Sequence, residues 1–132
     1  MMKKIIAILA VAWVLSLLVV TGTYAAETGK KPIAVLDLYN EFQKDPQAAA
    51  NAYQGKNIVV TGIVRHTGPD IHGTPAIELS DAAGGKIYAV CVVGTFDQLE
   101  GVSIGETVTM SGNFHIFVLD EWGVVLKQSE IL

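Results

Sequence analysis

Ten consecutive residues, Asn57 to His66, read Asn-Ile-Val-Val-Thr-Gly-Ile-Val-Arg-His, and nothing else in the chain restricts its fold so strongly. β-branched side chains are stiff about their first torsion and suit a pleated surface better than a helix. With a period of two the run offers two faces, Ile58, Val60 and Val64 against Val59, Thr61, Ile63 and Arg65. Gly62 sits midway, where a strongly bent strand makes use of the missing side chain. A long strand with a central bend belongs to a curved sheet.

The rest of the chain supplies further strands at short intervals. Thr67 to Gly73 carries turn residues in Gly68-Pro69-Asp70 and His72-Gly73, and Pro75 to Ser80 alternates as a second strand with Ile77 and Leu79 inward. Asp81 to Gly85 makes the next turn, and Lys86 to Val93 is a third strand. In the connection from Gly94 to Gly105, Phe96, Leu99 and Val102 are spaced to pack one helical turn on the core. Glu106 to Phe117, with Gly112 midway, is a fourth strand; Asp120 to Gly123 turns the chain, and Val124 to Lys127 is the fifth. Five strands, glycines within the first and fourth, and the longest excursion between the third and fourth match the order of an OB-fold. A small open sandwich is the competing arrangement. Glycines placed where a barrel must turn its corners favour the barrel.

Ahead of the strands, Val35, Leu38, Tyr39 and Phe42 recur at i, i+3, i+4 and i+7, one face of a short amphipathic helix. Asp45-Pro46 then reads as an N-cap followed by a first-turn proline, and the alanine-rich segment to Tyr53, ended by Gly55, predicts a second short helix. The expected fold is therefore mainly β: a five-stranded OB-fold barrel behind a short N-terminal helical segment.

The first 25 residues have a different character. Lys3 and Lys4 precede an apolar run from Ile5 to Val20 broken only by Ser16, and Thr23-Tyr24-Ala25 supplies the small residues that signal cleavage needs. Residues 1–25 are read as a signal peptide cut after Ala25, 26–32 as a flexible leader, and 33–132 as the OB-fold domain with its helical preface. Cleavage leaves 107 of 132 residues, enough for one core. The expected location is periplasmic or secreted, with an uncleaved membrane anchor as the alternative. A lipid-anchored form would carry a cysteine at the cut, whereas the one cysteine is Cys91. It has no partner for an internal disulfide, and no charge near it in sequence would activate it, so it is expected to be a buried, inert small hydrophobe. Of nine basic residues two leave with the signal, so seven face thirteen acidic ones, a net charge of −6 with histidine neutral. That balance weighs against phosphate backbones as partners.

Tyr39-Asn40-Glu41-Phe42, Ala48 to Lys56 and Ile58 to Val64 resemble the opening of the tRNA_anti-like family, small OB-fold domains of exported bacterial proteins. Val90-Cys91-Val92, Leu99, Gly105 to Gly112 and Val125-Leu126 look like its second half. The resemblance spans about residues 35–132. It departs from the family where members carry further cysteines, since this chain has Asn113 and Ser129 there. The bacterial stress-associated OB proteins share length and signal but match the helical preface and Tyr53-Gln54-Gly55-Lys56 less well. The resemblance implies a fold; it does not carry an activity with it.

No nucleophile with a basic partner, phosphate loop or paired-carboxylate arrangement occurs, and Asp120-Glu121, adjacent on an extended segment, point to opposite sides. The chain is read as a non-enzymatic module, without a cofactor, for a small ligand, oligosaccharide, peptide or envelope protein. Arg65, Tyr88 and Trp122 are the candidate ligand-binding residues, with Lys86 beside them. Two alternatives are carried forward: a metal-handling protein using His66, Asp70 and His72, whose spacing matches no established motif, and a single-stranded nucleic-acid binder using Arg65 and Tyr88. Otherwise the histidines, His115 included, are solvated polar residues.

Overall fold

The computed structural model describes residues 31–132. The expected signal peptide, its expected cleavage site and most of the expected leader lie outside the described residues.

The chain runs β1 (Ile33–Ala34), α1 (Val35–Lys44), α2 (Pro46–Tyr53), β2 (Asn57–Pro69), β3 (Pro75–Ser80), β4 (Ala89–Val93), a 3-10 turn (Phe96–Leu99), β5 (Thr107–Val118) and β6 (Gly123–Ile131). Strands β2 to β6 close into the five-stranded barrel. β2 is long enough to pair twice, with β5 through Asn57 to Ile63 and with β3 from Ile63 onward. β3 pairs with β4, and the circle is completed by β5–β6 and by a parallel pairing of β4 with β6. Closure leaves these strands few free edges. β1 adds two residues in parallel to β2, Ile33 opposite Val60 and Ala34 opposite Thr61.

The two expected glycines, Gly62 and Gly112, lie at close approaches between elements. A Cβ on Gly62 would meet the Val35 side chain at 2.8 Å, and one on Gly112 would meet the Leu126 Cβ at 2.8 Å. Each glycine thus lets another element approach the strand at close range.

Inside the barrel, Ile58, Val60 and Val64 of β2 meet Ile77 and Leu79 of β3, Cys91 of β4 and Leu126 of β6. Each such side chain removed from water stabilises the fold by about 1.5–3 kcal/mol. The helical preface belongs to the same core, because Val35, Leu38 and Phe42 are buried in this cluster. Phe42 stacks on Phe114 at 5.1 Å and on Phe117 at 5.0 Å between ring centres. The Asp45 side chain caps α2 by accepting the Ala48 N–H at 3.1 Å, with Pro46 in the first turn. Tyr53 then ties the helices together, donating its hydroxyl to Glu41 Oε2 at 2.7 Å; burial and this bond raise its pKa to about 12.

The elements differ from the sequence expectation at several ends. β2 continues to Pro69, which pairs with Pro75 at the last rung, where a missing N–H costs no ladder bond. β4 begins only at Ala89, so Lys86 to Tyr88 do not follow the alternation of a strand. β6 runs on to Ile131 through an extra residue, Gln128, at φ 50°. In the β4–β5 connection Leu99 and Val102 pack on the core as expected, but Phe96 is 50% exposed.

Cys91 is fully buried, and burial pushes its thiol up to about 12 from an ordinary 9.0, with Ser129 as a small opposing hydrogen-bond partner. The thiol should resist alkylation until the domain unfolds. Because the folded thiol holds its proton while the unfolded one releases it above about pH 9, its contribution is complete below that pH and is lost as pH rises towards 12. Chemical denaturation at alkaline pH should therefore show wild type losing about 1.4 kcal/mol per pH unit more than Cys91→Ala. Equal slopes for the two proteins would refute the burial.

Candidate functional site

A second apolar cluster lies on the outside of the barrel. Ala76 of β3, Val90 and Val92 of β4 and Val125 of β6 are buried, with exposures of 4 to 8%, and Ile87 and Trp122 pack against them. They alternate with the core residues Ile77, Cys91, Val124 and Leu126, so they face away from the interior. Outer-face residues of a closed barrel ordinarily meet water. These four instead floor a groove enclosing about 340 Å³.

One wall is the loop after β2, lined by Pro69 to His72, and the other is the end of β5 with Trp122 from the β5–β6 turn. These are the two loops and the strand face that OB-folds use for ligands. The loop is held by Asp70, whose Oδ1 accepts the N–H groups of His72 and Thr74, each at 2.8 Å. Gly73 at φ 80° completes this turn.

Two bulges place the polar rim. β2 pairs Val64 with Leu79 and His66 with Glu78, so Arg65 is an extra residue. Simple alternation would put His66 inside with Val64; the bulge turns it to the groove. β5 likewise pairs Phe114 with Leu126 and Ile116 with Val125, leaving His115 as the extra residue. His115 and Ile116 both line the groove, while Phe117 returns to the core side. Lys127 and Glu78 complete the rim.

The sequence candidates divide accordingly. Trp122, His66, Asp70 and His72 are brought together around one groove. Arg65 is beside it but already engaged: Nη1 donates to Glu78 Oε1 at 2.6 Å and Nε to the Gly85 carbonyl at 2.7 Å. Tyr88 departs from the expected outer face. It lies before β4, packs against the core, and meets the Tyr39 ring edge-on at 5.0 Å. Lys86 also goes elsewhere, 4.9 Å above the Tyr39 ring and 3.4 Å from Asp120. His66, Asp70 and His72 do not converge on a point, and among the described residues no three His, Cys, Asp or Glu side chains form a metal-binding group. Asp70 is occupied with capping its own loop. Sequence reading missed His115, Lys127 and the valine floor. The signal for the floor was present, since Val90 and Val92 flank Cys91 in a strand apolar on both faces.

A second hollow of about 520 Å³ lies between α2 and β5, lined by Phe42, Ala50 and Phe114 among others. It is a shallow trough whose polar lining, Gln47, Asn51, Gln54 and His115, which it shares with the first groove, includes no carboxylate, lysine or arginine.

Comparison with known proteins agrees with this architecture. The model of the tRNA_anti-like family matches residues 1–130. A solved structure from Klebsiella pneumoniae subsp. pneumoniae MGH 78578, called a "putative nucleic acid-binding lipoprotein", is 21% identical with a TM-score of 0.60, covering 82% of this chain and 96% of its own. An OBody bound to hen egg-white lysozyme is 22% identical with a TM-score of 0.46, over 61% of this chain and 85% of its own. No curated protein matches the sequence.

Proposed function

This chain belongs to the tRNA_anti-like family, and from that premise we propose that it is a non-enzymatic binding module of the bacterial envelope that holds its ligand in the groove between the 69–72 loop and Trp122. One observation carries the reading: four apolar side chains on the outer face of a closed barrel are withdrawn from water under two loops. An apolar floor with a few convergent polar groups is the usual form of a small-molecule or oligomer site. Export is supported by Lys3, Lys4 and the apolar run that follows them, and the Klebsiella neighbour is called a lipoprotein.

The test is native mass spectrometry of protein purified from the envelope, wild type beside Val92→Arg. Val92 is 6% exposed on the groove floor, and arginine there fills the space without touching the barrel interior. The wild type should carry a reproducible non-covalent adduct that the variant lacks while keeping its circular dichroism. An adduct retained by the variant would place the site elsewhere.

Single-stranded nucleic acid is the second reading, favoured by the neighbour's name and by Trp122, a face on which a base can stack. Whole-chain charge does not decide against it, because Lys127 and three histidines line the groove itself. It requires salt-dependent retention of oligonucleotides that weakens in Trp122→Ala; no retention at low salt removes it.

A further inference from the structure

We propose that the groove takes a small, flat organic anion, and takes it more tightly in acid: an aromatic or similarly planar body lies on Trp122 and the valine floor, and its carboxylate or sulfonate is held by Lys127 in the field of the imidazoles that line the same groove. This rests on the groove being the binding site.

The chain has three histidines, and all three line this groove although they come from three separate segments: His66 from β2, His72 from the following loop and His115 from the bulge in β5. The other charged groups there are few. Glu78 on β3 is neutralised by Arg65 at 2.6 Å, and its other oxygen lies 3.8 Å from His66 Nδ1. Asp70 spends one oxygen on two backbone N–H groups of its own loop. Lys127 on β6 is the standing cation of the lining. On the β5–β6 turn, Asp120 lies against Lys86, and neither it nor Glu121 lines the groove. At neutral pH, Lys127 and Asp70 balance and the Arg65–Glu78 pair cancels. Protonation of these imidazoles in acid adds up to three positive charges to the lining. An anion binds the protonated form better, so its affinity rises with acidity, and by linkage the bound anion holds those protons more firmly.

Size and shape narrow the ligand. The groove's 340 Å³ is at the lower end of the roughly 300–1,000 Å³ typical of small-molecule sites, so one fused ring system fills it. Trp122 is packed on the valine floor, giving an indole beside a flat apolar surface.

Two probes of the same shape test this on the full chain by equilibrium dialysis: naphthalene-2-sulfonate, charged at every working pH, and neutral naphthalene-2-sulfonamide. From about pH 8 to about pH 5.5 the sulfonate should bind about tenfold tighter or more, given at least one proton taken up per ligand. Sulfonamide binding should not change, and Trp122→Ala should weaken both. The combined variant His66→Asn, His72→Asn, His115→Asn should abolish the sulfonate's pH dependence while still binding sulfonamide, which also reports that it is folded. If the sulfonate shows no pH dependence while both probes bind and respond to Trp122→Ala, the anion proposal is wrong and the groove stands. If neither probe binds at either pH, the proposal is overturned, and the native adduct of wild type against Val92→Arg then decides the groove reading separately.

Discussion

Gly123→Ala is expected to destabilise the domain by about 3 kcal/mol or more, lowering the melting temperature by roughly 15 °C in a domain of this length. Gly123 sits at φ 65°, a conformation that an L side chain adopts only with strain. A Cβ built there runs directly into the backbone carbonyl of Tyr88. The approach is enforced by the Val124 N–H, which donates to that carbonyl at 3.0 Å beside the first rung of the parallel β4–β6 ladder. That ladder closes the barrel. Neither partner can move away without opening it, so strain and lost pairing add. Gly84→Ala is the control, since nothing lies within 4 Å of its added Cβ, and its effect should stay within about 0.5 kcal/mol. Comparable melting of the two variants would mean that the barrel does not close through Gly123.

Phe42→Ala should cost about 3–5 kcal/mol in urea unfolding. Its ring is fully buried and stacks on Phe114, Phe117 and Tyr53, with centroid distances of 5.0 to 5.8 Å. Truncation leaves a cavity bordered by three rings from α2 and β5. Those rings are held by their own strand and helix, so the gap can collapse only partly. Tyr39, one turn away, packs on Phe117 at 5.4 Å and stiffens the same wall. Gln43→Ala, an exposed neighbour on α1, should be nearly neutral. A loss below about 1 kcal/mol for Phe42→Ala would show that the helix is an appendage and not part of the core.

The candidate site was only partly legible before the fold was known. Trp122, His66, Asp70 and His72 were singled out for separate reasons, as a ligand contact and as metal ligands, and the groove unites them. Arg65 and Tyr88, chosen by alternation, are instead an ion-pair partner and an aromatic neighbour of the core. His115 was set aside as a solvated residue, yet it lines the groove. Residue types announced chemistry, but which of them share a surface depends on bulges that no periodicity contains.

The local elements were readable because their physics is local. The helical face of Val35, Leu38, Tyr39 and Phe42 is buried as a unit; Asp45 caps the helix it precedes; Ile58, Val60 and Val64 point inward from a strand in which Gly62 leaves room for Val35. Spacing, capping and side-chain branching act over a few residues, and those are printed in the chain. Closure was decided elsewhere. The extra residues Arg65, His115 and Gln128 are extra only relative to a partner strand, because a bulge is a mismatch of count between two segments. Each mismatch resets which side chains face out. The buried apolar floor and the three histidines that line the same groove therefore come together only once β2 to β6 have closed on one another.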